Sequence, residues 1–270
     1  MNAMKKVILF LLSFVFFVSE ANAQDYFTVI KVNGNIVIER TGNPLGTGTS
    51  FARNENLLFR IPESRAAVIN PELGRFLLTS ENMDEFKNSK SNFLPSSGKI
   101  RTRSVKTVTD KHNLSAQLED NYLMLAENRI LIDTAIYPMN SKDFFYLTFD
   151  YHNKTINKRL TFNADTLIIR QPELLAVDGS EIPASDIKQM KLIYYQEGDS
   201  FVLKPVCSFS PVFADLNVLW KEISIIIHQM EMNTYEEKLN EINAFIQEFY
   251  GSIDETNLKR WLKEDLGLNQ

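Results

Sequence analysis

Residues 7–18 form a twelve-residue apolar run broken only by Ser13, unlike anything later in the chain. Lys5 and Lys6 precede it, and Ser19, Glu20 and Ala21-Asn22-Ala23 follow. A basic start, an apolar centre and a small-residue end predict a secretory signal peptide, residues 1–23, with Ala21, Ala23 and Gln24 framing the cleavage point. Twelve residues fall short of the roughly 20 that span a bilayer as a helix. Past this run the pattern shortens to period two. Residues 26–32 and 35–39 are rich in β-branched and aromatic side chains and are joined by Asn33-Gly34, which predicts a hairpin on a type I′ turn. Turns follow at 41–44, 46–48 and 70–74, and short strands near 56–61, 66–69 and 75–79. Strands so closely spaced suggest a small β barrel or sandwich over 24–80. From 81 to 112 the periodicity lapses into Asn, Ser and Lys, the pattern of a linker. It resumes over 113–210 as a second antiparallel β domain. Strands are expected at 122–126, 129–135, 144–151, 158–162, 166–169, 190–195 and 201–206. His152-Asn153-Lys154 lies in a hairpin, Val177-Asp178-Gly179 in a turn, and Ser185-Asp186 opens a short helical turn.

From residue 211 the period becomes helical. Leu216, Leu219, Trp220, Ile223, Ile226, Ile227 and Met230 share one stripe behind Asp215, a candidate cap. Thr234 and Glu237 form a capping-box pattern ahead of Leu239, Ile242, Phe245, Ile246 and Phe249. Ser252 and Glu255 repeat it ahead of Leu258, Trp261, Leu262 and Leu266, and Gly251 and Gly267 mark the ends. Trp220 and Trp261 are both expected in the core. The fold class that emerges is α+β: two mainly antiparallel β modules followed by a C-terminal three-helix segment, residues 211–270.

Composition narrows the setting. Of 270 residues 44% are hydrophobic and 11% aromatic, enough to bury a core. The formal charge of −5 argues against nucleic acid as a partner. The charge is uneven. Between residues 86 and 112 seven basic residues face Asp110 alone, and Lys87, Lys90, Lys99, Arg101, Arg103 and Lys106 form a candidate patch for an anionic envelope component or another envelope protein. The alternative is a solvated loop. Residues 211–270 carry eleven carboxylates against five Lys or Arg. Cys207 is the single cysteine, so no internal disulfide forms. An exported chain without disulfides fits a bacterial envelope. No cysteine follows the apolar run, so no lipoprotein anchor is expected, and no second run has the length of a membrane helix. The expected location is the periplasm or beyond it.

Chemistry is sparse. His112, His152 and His228 show no metal-ligand spacing, so no metal or cofactor is expected. Asp150 with His152, and His228 with Glu231, are neighbour pairs of the ordinary surface kind. No Gly-x-Ser-x-Gly elbow and no glycine-rich phosphate loop occur. Cys207, in an apolar strand, reads as a small buried hydrophobe. No catalytic residue is assigned. Paired carboxylates for glycoside hydrolysis stay open, because sequence spacing does not give their separation in space.

The run Val32-Asn33-Gly34-Asn35-Ile36, followed by Thr41-Gly42, Leu45-Gly46 and Ala66-Ala67-Val68, resembles the β-module of FecR-like extracytoplasmic proteins over residues 26–79. The whole chain is also similar in layout to uncharacterised exported proteins of the Bacteroidetes. The resemblance implies a small β module and an accessory role in an extracytoplasmic signalling or secretion system. The expected function is that of an exported, soluble, non-enzymatic binding or scaffold protein of the bacterial envelope. A hydrolase acting on envelope or host glycans and the signalling accessory are the two alternatives.

Overall fold

The computed structural model describes residues 26–88, 113–118 and 120–267. The fold is α+β, with antiparallel sheets through most of the chain and helices at its end. The described residues divide into two units, 26–88 with 221–233 and 113–220 with 234–267.

In the first unit six strands precede a short helix: β1 (Tyr26–Asn33), β2 (Ile36–Ile38), β3 (Ser50–Ala52), β4 (Leu57–Phe59), β5 (Arg65–Asn70), β6 (Gly74–Thr79) and α1 (Met83–Asn88). One antiparallel sheet runs β3-β1-β5-β6, and β2 pairs with β4 separately. The Asn33-Gly34 step is therefore no hairpin. Gly34 takes φ 94°, while Asn33 stays out of the left-handed region that a type I′ turn needs at both positions. Ser64 explains the exit. Its Oγ accepts from Asn35 N at 2.9 Å and would stand 2.3 Å from a Cβ on residue 34. The chain is drawn off toward β4 instead of folding back on β1.

The core of this unit gathers Phe27, Phe51, Phe76 and Phe86 with Val29, Leu78 and their neighbours. The Phe86 ring meets Phe27 edge-on at 4.8 Å and is only 2% exposed. The linker pattern thus begins too early at residue 81. Two apolar positions three apart, Met83 and Phe86, make one helical turn, too short to register as a period. Asn82 fastens the turn, donating from Nδ2 to Leu77 O at 2.7 Å while its Oδ1 accepts from Thr79 N at 2.8 Å. Glu222, 1% exposed, is paired with Lys31 at 2.8 Å, next to a bulge in β1. A carboxylate so buried needs such a partner.

The second unit contains α2 (Leu114–Gln117), β7 (Asn121–Met124), β8 (Glu127–Leu131), β9 (Phe144–Tyr151), β10 (Lys154–Arg159), β11 (Thr161–Asn163), β12 (Thr166–Arg170), α3 (Gln171–Leu175), β13 (Ala176–Val177), β14 (Ser180–Glu181), β15 (Met190–Gln196) and β16 (Val202–Phe213). The helix α4 (Leu216–Gln229) follows, its first five residues in this unit, and then α5 (Tyr235–Phe249) and α6 (Glu255–Leu266). A five-stranded sheet runs β10-β9-β15-β16-β7, antiparallel except for the β16–β7 pair, and a three-stranded sheet runs β11-β12-β8. The β9–β10 hairpin has the turn that Asn33-Gly34 lacks: His152 and Asn153 both take positive φ, 47° and 61°. Alternate residues of β9 and β15, namely Phe145, Leu147, Phe149, Leu192 and Tyr194, face one core with Ile130, Leu167, Ile169 and Leu174.

Helix ends follow local chemistry. Asp215 Oδ1 accepts from Asn217 N at 2.9 Å at the start of α4. The capping box of Thr234 and Glu237 opens α5. The second expected box does not form. Asp254 caps α6, accepting from Asn257 N at 2.8 Å, and Ser252 is occupied elsewhere. Ser252 N and Oγ both donate to Asn121 O, at 2.7 and 3.1 Å, and Ser252 O accepts from Leu123 N at 2.8 Å. Gly251 permits this approach: its φ is 105°, and a Cβ there would lie 2.3 Å from Asn121 O. Further on, Asn257 pairs with both backbone groups of Arg129 on β8, each at 2.8 Å. Trp261 is buried as expected, but Trp220 is 40% exposed. Leu219, Ile223 and Ile226 take the buried stripe of α4, and Trp220 stands about 100° round the helix from Leu219.

Candidate ligand-binding face

A sheet strand can give only every second residue to one core. Over residues 144–147 of β9 and 192–195 of β15 both sets are apolar or aromatic. Phe145, Leu147, Leu192 and Tyr194 face the core, which leaves Phe144, Tyr146, Ile193 and Tyr195 on the other side. Register sets these side chains beside one another. Phe144 lies opposite Tyr195, and Tyr195 opposite Leu203 of β16. Tyr146 lies opposite Arg159 of β10 on one side and Ile193 on the other.

The result is a line of planar groups. The Phe144 and Tyr195 rings stack at 4.8 Å with 23° between planes, and Tyr195 and Phe201 lie 6.3 Å apart at 9°. The first distance matches the spacing of neighbouring strands, about 4.8 Å, so each ring stands on its own strand facing the next. Beyond Phe144 the Arg159 guanidinium sits 3.8 Å above the ring centre. Arg159 is held from a second side as well, its Nη2 donating to Ser141 O at 3.2 Å and Asn140 O at 3.5 Å. Those carbonyls belong to a loop closed on itself, in which Asn140 Oδ1 accepts from Lys142 N at 2.7 Å and Asp143 N at 2.9 Å. Among the described residues Arg159 forms no ion pair.

These side chains line an open groove of about 510 Å³, made by Phe144, Tyr146, Asn157, Arg159, Tyr195, Phe201 and Leu203. Phe201 is 67% exposed, with Val202 and Leu203 about half exposed beside it. Ile193 is nearly covered on the groove side, at 7%. Burial pushes the Tyr146 phenol above its ordinary range. No carboxylate is among the lining residues. The groove can hold a ligand against ring surfaces and fix it through one cation, one carboxamide and two phenols. It offers no acid–base pair.

The residues singled out from the sequence lie apart from this groove. Ala21, Ala23, Gln24, Lys90, Lys99, Arg101, Arg103, Lys106 and His112 fall outside the described residues. Lys87 is on α1, donating to Asn56 Oδ1. His152 occupies the β9–β10 turn with its ring stacked 4.0 Å from Tyr151, and Asp150 Oδ1 accepts from Thr155 Oγ1 at 2.9 Å. His228 lies in the last turn of α4. Cys207 is half-buried, and burial pushes its thiol up to about 11, which makes it a poor nucleophile. Among the described residues no three His, Cys, Asp or Glu side chains come close enough to hold a metal ion. Nor is any described helix long and apolar enough to cross a membrane. The groove residues were not singled out in the sequence. Their signal was the double apolar parity of 144–147 and 192–195, which is more than one core needs. No family model, no curated protein and no solved structure matches this chain.

Proposed function

We propose that this chain is an exported, non-enzymatic binding protein of the bacterial envelope, and that its ligand, a saccharide, docks on the aromatic groove of β9, β10, β15 and β16. One observation carries the reading: Arg159, Phe144, Tyr195 and Phe201 form an ordered row on a sheet face open to solvent. Apolar patches left in the open mark binding surfaces. Aromatic residues and Arg dominate the energetics of such surfaces, the aromatics because they bury much area with few rotors and Arg because its planar cation stacks and hydrogen-bonds together. Phe201, the exposed end of the row, offers ring surface to the C–H face of a sugar, while Asn157, Tyr146 and Tyr195 supply groups for hydroxyls. A glycoside hydrolase would need two facing carboxylates, and this groove has none to offer.

The test is affinity electrophoresis of the purified protein through gels cast with soluble polysaccharides, neutral and acidic in turn. At least one should retard the wild-type chain, and Phe201→Ala should run free in that gel at an unchanged melting temperature. Unretarded wild type in every gel, or equal retardation of Phe201→Ala, overturns the reading. N-terminal sequencing of the protein from a periplasmic fraction should begin at Gln24; a chain that keeps Met1 removes the export part.

A further inference from the structure

We infer that the saccharide is acidic, its carboxylate received by Arg159 while a sugar face lies along Tyr195 and Phe201; this rests on the binding role proposed for the groove. The guanidinium is held on two sides before any ligand arrives. Phe144 supports it from below at 3.8 Å, and the Ser141 and Asn140 carbonyls take Nη2. A planar group already held in this way loses less entropy when its remaining N–H groups, on Nε and Nη1, bind a carboxylate. Its charge is not cancelled locally, since no described residue pairs with it and the groove lining contains no acid. The groove is therefore complementary to an anion at the Arg159 end and to a ring face at the Phe201 end.

The remaining lining selects the class of anion. Asn157 lies on the same face of β10 two residues from Arg159, so a carboxamide and a guanidinium project together at one edge of the groove. Adjacent carboxylate and hydroxyl groups, as on a uronic acid, match that pair. An extended acidic peptide gains most from main-chain pairing. The two central strands have none to give, because β9 is paired by β10 and β15, and β15 by β9 and β16; among the described residues only the outer borders of β10 and of β16 over 202–208 have no strand beside them, away from the rings. A ligand laid across this face meets side chains only. The volume of about 510 Å³ falls within the range of ligand sites, about 300–1,000 Å³, and the groove is open to solvent for a longer chain to continue.

The experiment is isothermal titration of the full chain with oligomers of galacturonate, mannuronate and glucuronate. Each is paired with its methyl ester, which keeps the sugar face and removes the charge, and poly-glutamate serves as the acidic peptide. At least one free acid should bind about tenfold or more tightly than its ester, the scale of a charge-assisted contact. Arg159→Ala should abolish that preference while ester binding persists, Arg159→Lys should restore part of it, and Phe201→Ala should weaken acid and ester alike. Circular dichroism melts confirm that the variants fold. Equal binding of acid and ester by the wild type overturns the acidic assignment and leaves a saccharide-binding groove standing. No binding of any saccharide overturns both. Poly-glutamate bound as tightly as the best saccharide overturns the saccharide class.

Discussion

Phe144 and Phe145 are adjacent in sequence and face opposite sides of one strand. Phe145 is fully buried, with the rings of Tyr137 and Tyr194 at 5.5 and 5.0 Å. Phe144 stacks with Tyr195 on one face and Arg159 on the other, above an open groove. Both sides of the sheet are rich in aromatic rings, so hydrophobicity alone does not distinguish them. Coverage does: α2, α3 and the three-stranded sheet contribute Leu114, Leu174, Ile130 and Leu167 to the core on one face, and the groove on the other is open to solvent. A ring used for packing has neighbours on every side. A ring used for recognition is held from its flanks and left open above.

Variants on the two faces should separate these roles. The largest loss is expected from Phe145→Ala, about 3–5 kcal/mol by urea denaturation, the range for an aromatic removed from a packed core. A cost under about 1 kcal/mol would place that face in the same class as the groove. Ile193→Ala tests the position beside Tyr146, where the side chain is 7% exposed although it points away from the core. About 2 kcal/mol is expected, the low end for a buried aliphatic; no change in the denaturation midpoint would mean that this position is only nominally covered.

The start of α6 also carries a titrating liability. Burial raises the carboxyl of Asp254 while its bond from the Asn257 amide opposes the shift, and burial of the Tyr122 hydroxyl pushes that group well up, with the charge of Asp254 adding to it. A carboxyl raised in the folded state stabilises most when protonated. Its contribution is complete below the unfolded value of about 3.9 and is lost as pH rises through the folded one. Asp254→Asn keeps a capping oxygen and removes the titration. The variant should melt above the wild type at neutral pH, by less than the Ile193 change, and the gap should close as pH falls toward about 3.9. A gap that widens on acidification would reverse the sign argued here. The smallest stability effect is expected from Phe201→Ala, within about 0.5 kcal/mol, as for other exposed positions. A larger loss would make Phe201 a packing residue and weaken the case for recognition.

Local signals carried most of the fold. The Thr234–Glu237 box, the Asp215 cap, the Gly267 stop and the His152 hairpin are short-range features, and each is present. Errors came where a distant residue competed for the same groups. Ser64 turned Asn33-Gly34 away from a hairpin, and Asn121 took Ser252 from its helix. Phe86 reads as part of a polar stretch because its partners Phe27 and Phe51 are far away in sequence. The groove was half legible. Its strands were readable, but which parity faced solvent depended on what covered the sheet, and its lining comes from segments spread over residues 144–203. Phe201, expected as the first residue of a strand, stands just before β16.

The segment from Gly251 to Asn257 does more than connect two helices. Strands β7 and β8 end their respective sheets, and an end strand with vacant amides and carbonyls is a template for another chain. Ser252 occupies the border of β7, and the Asn257 carboxamide occupies that of β8 in the manner of one more peptide unit. The C-terminal helices thereby act as a built-in guard against polymerisation, and a truncation before Gly251 would turn two satisfied borders into two sticky ones.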